Sequence, residues 1–492
     1  VGLLMLIARF SDGIVDVIMG IICDRTNSKY GKFRPWILWT AIPLGITLSL
    51  LFTSPNLSST GRIIYAYATY LTFFIIYTAN NIPYGALMAV MTGDDKERTS
   101  LGSYRMVGAF TGGMLVQGAL LFLVVHFGNI NPSIDLQKLD VNKYEVTVAT
   151  SKDVKNVNIK TKAGIAMFKW ADSGMADSKN IPTKGKSFSM EAQKKYSFIV
   201  SGEENLEAKK ITIIDQKKGY SHSIYLLSIF LSLFLLVTFA TTKERVQPPK
   251  EQKTNLGKDL KDLIRNRPWI ILLFMGLLFN VYNSIKQGIV VIYFTHYLHH
   301  QLLAASYMVG LMLASIAGAM ITSPLGKRFG KRNLFIYALI FSGVVNAMLV
   351  FCSPDSITAI FIIGIISEFG AAIMPTLFFV MLGDAADYSE FKNGRRATGL
   401  VYSAGSFATK FGGGLAGAII GFVLAAFNYN GQDSVAIQGA IPGVIMLMSW
   451  IPTIIALIAA SVMTFYPLNQ KKMDEITIEL NNRRAKAQQS QQ

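Results

Sequence analysis

Apolar runs of about 18 residues or more recur along almost the whole chain, and nothing else in it constrains the fold so tightly. Residues 36–54, 63–91, 101–127, 222–241, 268–295, 302–323, 333–352, 356–382, 397–427 and 440–466 qualify. With the opening run 1–23 they predict eleven spans. In a bilayer each backbone N–H and C=O must be satisfied within the segment, so runs of this length predict helices. The predicted class is an all-α polytopic membrane protein. The odd count, with Val1 already inside an apolar run, leads to the expectation of one further helix upstream of this fragment.

The formal net charge is +17. Its placement argues against nucleic acid as the partner. Arg25, Lys29, Lys32 and Arg34, then eight basic residues in the linker 243–267, then Lys327, Arg328, Lys331 and Arg332 occupy short loops on alternate sides of successive helix pairs. All these loops therefore face one compartment, and the positive-inside rule makes it the cytoplasm, together with the tail 467–492. Cys23 and Cys352 form neither a metal spacing nor a disulfide framework. The five histidines lie near span ends, and no phosphate-binding loop is present: "GGG" at 412–414 lacks the rest of such a motif and suits close helix packing. No nucleophile–base set is visible, so an enzyme is the least favoured class.

Residues 128–221 interrupt the rhythm. By loop alternation they are extracytoplasmic. The stretches "YEVTVAT", "KNVNIKTK", "YSFIVSG" and "KKITIID" alternate apolar and polar residues, which predicts a small β-rich insert; a disordered lysine-rich loop is the other reading. The predicted organisation is an N-terminal transmembrane half at 1–127 (helices 2–5), the insert at 128–221, helix 6 at 222–242, a cytoplasmic linker at 243–267, a C-terminal half at 268–466 (helices 7–12) and the tail. "IPYGALMAVMTGDDKERTSLGSYR" (82–105) and "MPTLFFVMLGDAADYSEFKNGRR" (374–396) share a layout of Pro, Gly-Asp, acids and arginines. That supports two six-helix halves related by duplication.

Ionisable residues inside apolar runs are costly and need a partner or a wet cavity. Arg9, Asp12 and Asp16 lie in the opening run, Arg105 in 101–127, Lys286 in 268–295, Glu368 in 356–382 and Lys410 in 397–427. Asp12 and Asp16, four residues apart, share one helix face. Together they offer hard oxygens to a sodium ion, or one of them a site for a proton. A salt bridge to Arg9 or another buried cation is the other reading, and Lys410 is a candidate competitor for the same acids. Tyr77, Asn80, Asn81 and Tyr84, then Asn280, Tyr282 and Asn283, suit a polyhydroxylated ligand through hydrogen bonds and ring stacking, or serve as interhelical glue. Glu368 is a candidate second substrate or proton group.

Three stretches, "ARFSDGIVDVIMGIICDRTNSKYGKFRPW" (8–36), "NIPYGALMAVMTGDDKERTSLGSYR" (81–105) and "GDAADYSEFKNGRRATGLVYSAGSFATKFGGGLAG" (383–417), resemble the glycoside–pentoside–hexuronide:cation symporter family of the major facilitator superfamily, the melibiose-permease-like carriers. The resemblance covers nearly the whole chain outside 128–221. It implies the major facilitator fold, a multi-pass place in a bacterial inner membrane, no cofactor, and symport of a sugar with a proton or sodium ion. It implies that Asp12, Asp16 and Thr78 line the cation site, that Lys410 lies between cation and sugar, and that Arg105 belongs to the sugar site with Asn80, Asn81 and Tyr84. It places a cytoplasmic gate in the loop around Gly31, Lys32, Arg34, Asp384, Asp387 and Glu390. Three departures stand out, the first being that the helix expected upstream would carry another sugar-site acid. Asn81 replaces an acid of melibiose-type carriers, and Val15 replaces an asparagine of sodium-using members. A lysolipid or other non-sugar transporter, and a non-transporting nutrient sensor, are the alternative functions.

Overall fold

The computed structural model describes residues 2–140, 143–151, 154–161, 167–170, 188–190, 192–201, 211–246, 256–300, 303–431 and 433–489; within these, the side chains of 2–12 and of several insert residues are not described. Fifteen α-helices and seven strands follow in order among them. The helices are α1 Gly2–Arg25, α2 Arg34–Leu51, α3 Ser59–Met91, α4 Asp95–Gly128, α5 Gln216–Thr241, α6 Leu256–Ile264, α7 Arg267–Ile292, α8 Leu303–Phe329, α9 Lys331–Ala347, α10 Ile357–Ala371, α11 Ile373–Asn393, α12 Thr398–Ala426, α13 Ser434–Met448, α14 Trp450–Thr464 and α15 Gln470–Gln489.

Ten helices or helix pairs among the described residues are long and apolar enough to cross a membrane, and they coincide with ten of the predicted runs. The eleventh run forms α1. On α3 the exposed apolar side chains Ile64, Tyr67, Leu71 and Ile75 recur every three or four residues. Such an outward apolar stripe is what a lipid-facing helix presents.

The sequence sets the helix starts locally. The Asn266 side chain accepts from the Trp269 N–H at 3.1 Å, with Pro268 in the first turn of α7. Asp433 caps α13 in the same way through the Val435 N–H. Before α2, the Glu244 carboxylate accepts the backbone N–H groups of Lys32, Phe33 and Arg34 at 2.7–2.9 Å, which places an anion on the positive end of a helix. Gly330, at φ +76°, lets the chain reverse between α8 and α9, a turn that a side chain would strain.

Two compact units divide the chain: Val1–Ala41, Phe74–Met114 and Leu235–Gln492 in one, Ile42–Phe73 and Leu115–Phe234 in the other. The second carries the strands β1 Ser133–Asp140, β2 Lys143–Ala149, β3 Val154–Thr161, β4 Met167–Trp170, β5 Phe188–Met190, β6 Lys195–Ser201 and β7 Ile211–Asp215. They form two antiparallel sheets, ordered β1-β2-β6-β4 and β5-β3-β7. Tyr144, Val146 and Val148 on β2 point inward, and Thr147 pairs with Ser197 across β2 and β6 at 2.8 Å. The four stretches predicted as strands are β2, β3, β6 and β7. The edge strand β1 alternates over Ser133–Gln137 and was not read as a strand, and β4 and β5 are too short to show alternation.

In the first unit α1 crosses α12 at very close backbone distance. A Cβ on Gly20 would lie 2.7 Å from the Gly399 carbonyl oxygen, and one on Gly399 would lie 2.6 Å from that of Gly20. Gly399→Val should therefore force the two helices apart, at about 1–3 kcal/mol. The thermal midpoint of the purified protein should fall, and an unchanged midpoint would contradict the close crossing.

Candidate functional site

Asp16 is completely buried on α1. Both its carboxylate oxygens are engaged from α12: Oδ1 by the Lys410 ammonium at 2.7 Å, and Oδ2 by the Ser406 hydroxyl at 3.0 Å. Lys410 also lies 5.5 Å from the centre of the Phe74 ring. Spacing alone puts Ser406 and Lys410 on one face of α12, one turn apart, and the tight crossing at Gly20 and Gly399 brings that face to Asp16. Asp12 lies one turn earlier on α1, and its side chain, like that of Arg9, lies outside the described residues. Thr78 on α3 is buried and its hydroxyl has no hydrogen-bond partner among the described residues. Among the described residues, no group of three or more His, Cys, Asp or Glu side chains comes together as a metal site.

The proposed sugar residues separate into three environments. Arg105 on α4 lies with its guanidinium 5.0 Å from the Tyr84 ring centre and 4.7 Å from that of Phe379. Asn80 is turned away from it: its amide donates to the Thr40 hydroxyl at 2.7 Å, joining α3 to α2. Asn81 is half-buried on α3. Glu368 on α10 sits in a separate cluster within the C-terminal helices. Its Oε1 accepts from the Ser315 hydroxyl at 3.0 Å and its Oε2 from Lys286 at 3.3 Å. Lys286 also donates to Tyr282 and Ser367, and Ser367 to the Ser342 carbonyl.

Asp384, Asp387 and Glu390 do not lie in a loop, as the sequence reading had it. They are buried on the last turns of α11, which continues as helix to Asn393. Burial is tolerable because every charge there is matched. Arg98 pairs with Asp384 at 3.0 Å and Asp387 at 2.6 Å. Lys331 bridges Asp95 and Asp384, and Arg396 holds Asp387 and Glu390. Arg484 on α15 reaches Glu390 at 2.9 Å. Four cations thus face four carboxylates at the end of the bundle where α15 packs. Arg34 stands apart from them, donating to the Phe239 carbonyl at 2.7 Å with its guanidinium over the Phe239 ring.

Asp24 is a residue of this end that sequence reasoning missed. It accepts the N–H groups of Gly399 and Leu400, the first turn of α12, at 2.8 and 2.9 Å. The quoted "CDRTNSKYGKFR" contained it, but nothing in spacing tells that its partners are backbone donors 375 residues away. Burial pushes its carboxyl up to about 6, against the opposing pull of those two N–H groups. The ionised acid is thus favoured less here than in water. An arrangement that buries Asp24 gains relative to one that solvates it as pH falls through about 6 toward 4, and loses that gain as pH rises again. Alkylation of a cysteine placed at Thr99, buried at this end, should slow over that pH fall by more than the loss of reactive thiolate alone requires. Asp24→Asn should leave only the thiolate dependence; the same profile in both proteins would contradict the assignment.

A profile of the MFS/sugar transport protein family matches residues 1–151 and 198–470. The putative glycoside/cation symporter YagG of Escherichia coli is 27% identical over 98% of this chain and 87% of its own length. The isoprimeverose transporter of Lactiplantibacillus pentosus is 26% identical over 96% of this chain and 81% of its own. Among solved structures, the E. coli fucose:proton symporter FucP superposes with a TM-score of 0.59 at 12% identity, covering 94% of this chain and 90% of that one, so the fold is that of the major facilitators. With a family match over most of its length, the chain belongs to the MFS/sugar transport protein family, the glycoside–pentoside–hexuronide:cation type of transporter and not an enzyme.

Proposed function

We propose that this protein carries a sugar across a bacterial inner membrane together with a proton or a sodium ion, using the gradient of that ion. The observation that carries the reading is the buried Asp16–Lys410 pair, in which one carboxylate holds an internal cation that an external one can replace. A proton or sodium ion arriving at Asp16, with Asp12 one turn away as a second acid, frees the Lys410 ammonium. The freed ammonium is a hydrogen-bond donor for a sugar hydroxyl. Without the ion, Lys410 returns to Asp16 and that contact is withdrawn. Ion and sugar therefore strengthen each other's binding by the same factor. The relatives' names, a glycoside/cation symporter and an isoprimeverose transporter, support sugar as cargo.

The α15 end faces the cytoplasm on the positive-inside argument, and the strands at 133–215 lie outside. The ion-pair cluster of Arg98, Lys331, Arg396 and Arg484 with its four acids is then the inner gate, opening as the two halves rock about the central site. Uptake of a labelled sugar panel into proteoliposomes, under a proton gradient, a sodium gradient or neither, tests the proposal. Accumulation under one gradient alone is expected. Absence of uptake for every sugar under either gradient, from correctly inserted protein, would overturn it.

A further inference from the structure

The linker helix α6 presents one face to the protein and leaves two to its surroundings. Asp259 and Asp262 pair with Arg395, and Leu263 is buried; these positions share the inward face. Leu260 and Ile264, one turn apart on another flank, are 37% and 66% exposed. Lys261 and Arg265 are exposed as well. Residues 256–267 hold four cations and two acids, and both acids are engaged by Arg395.

This helix lies close to the bilayer. Two residues separate Ile264 from Arg267, where the span that begins with α7 starts, a reach of at most about 10 Å. A short helix with one apolar and one basic flank, held at that depth, has the form of an interfacial helix.

Beside α6, a cavity of about 190 Å³ lies between the start of α7 and the end of α11. Arg265, Asn266, Tyr388, Ser389 and Lys392 line it, with Asp262 as its one acid. Asp262 is held by Arg395 at 3.4 Å, which leaves the Arg265 and Lys392 charges unmatched by a carboxylate among the described residues. The Lys392 ammonium stands 5.9 Å from the centre of the Tyr388 ring, and Ser389 is buried.

A phosphate would accept from the guanidinium and the ammonium together, and from the two hydroxyls. A soluble phosphate would make no use of Leu260 and Ile264. A phospholipid uses both, with its phosphate in the cavity and its acyl chains along the apolar flank. A choline or ethanolamine headgroup would bring a further cation into a region that already has an excess, so a headgroup of net negative charge fits best.

We propose that this cavity and the exposed flank of α6 form a binding site for an anionic phospholipid. The site needs only that this end of the bundle meets a bilayer surface, and it is independent of the cargo. It adjoins the ion-pair cluster through consecutive residues: Arg395 is held by α6, and Arg396 by Asp387 and Glu390.

The test titrates the full-length protein in detergent with phosphatidylglycerol or phosphatidylcholine of the same acyl chains and counts bound lipid by native mass spectrometry. Phosphatidylglycerol should bind about 10- to 30-fold more tightly, the expected gain from two cations near a phosphate. Arg265→Gln with Lys392→Gln should remove the preference. The charge-preserving exchange Arg265→Lys with Lys392→Arg should keep it, which separates loss of charge from loss of fold. Leu260→Ser with Ile264→Ser should weaken both lipids alike. Equal binding of the two lipids, or a preference that survives the double glutamine variant, would overturn the proposal. Glycerol 3-phosphate that competes as well as the intact lipid would assign a site for soluble phosphates and overturn the lipid as its ligand.

Discussion

Glu368→Ala, with Lys286 retained, is expected to destabilise the protein by about 3–5 kcal/mol, the usual cost of stranding one member of a buried ion pair. The Lys286 side chain is 2% exposed, and Glu368 supplies the one carboxylate paired with it among the described residues. The hydroxyls of Tyr282 and Ser367 remain as neutral partners and cannot balance the charge. The pair ties α7 to α10, while Ser315 and the Ser342 carbonyl draw in α8 and α9. Removing both charges together, Lys286→Met with Glu368→Met, should restore most of the lost stability, because methionine fills similar volume without a desolvation cost. Thermal unfolding of the two single variants and the double variant checks this. A double variant as unstable as the single ones would contradict the account. A double variant that is stable and still transports would assign Glu368 to the architecture of the helices rather than to the substrate.

The second large effect is expected at the inner gate. Arg98 is fully buried and joins α4 to two acids of α11. Arg98→Ala leaves Asp384 and Asp387 one cation short in a site closed to water. A loss of about 3–5 kcal/mol from the closed arrangement shifts its population by roughly two to four powers of ten. A cysteine at Thr99, with Cys23 and Cys352 replaced by Ser, should pass from protected to rapidly alkylated. Gradient-driven accumulation should be lost with it. Continued protection of the cysteine in Arg98→Ala would contradict the gating role of the cluster.

The membrane helices were legible because their signal is long: a run of about 20 apolar residues has few other uses. Four insert strands were legible because each alternates apolar and polar residues over at least four positions. Beyond that, the sequence lost precision where contacts are long-range. It named Lys410 as a candidate partner for Asp12 and Asp16, but not the contact that brings Lys410 to Asp16, the crossing of α1 and α12 at Gly20 and Gly399, nearly 380 positions apart. The resemblance placed the acids 384–390 in a gate loop. They lie on α11, where Arg98, Lys331, Arg396 and Arg484 match their charges from four different parts of the chain. Asn80 and Asn81 were equivalent on paper. One residue of helical rotation sends the first to Thr40 on α2 and leaves the second on the face that carries Gly85.

The most direct measurement is made on Asp16→Asn, which keeps the shape of the side chain and removes its charge. Reconstituted protein is assayed twice with the same sugar: for accumulation against a gradient of the coupling ion, and for exchange of labelled against unlabelled sugar with no gradient. The account predicts exchange without accumulation, since the sugar path survives and the coupling carboxylate is gone. Accumulation at the unmodified level in Asp16→Asn would contradict the claim that this acid couples ion to sugar.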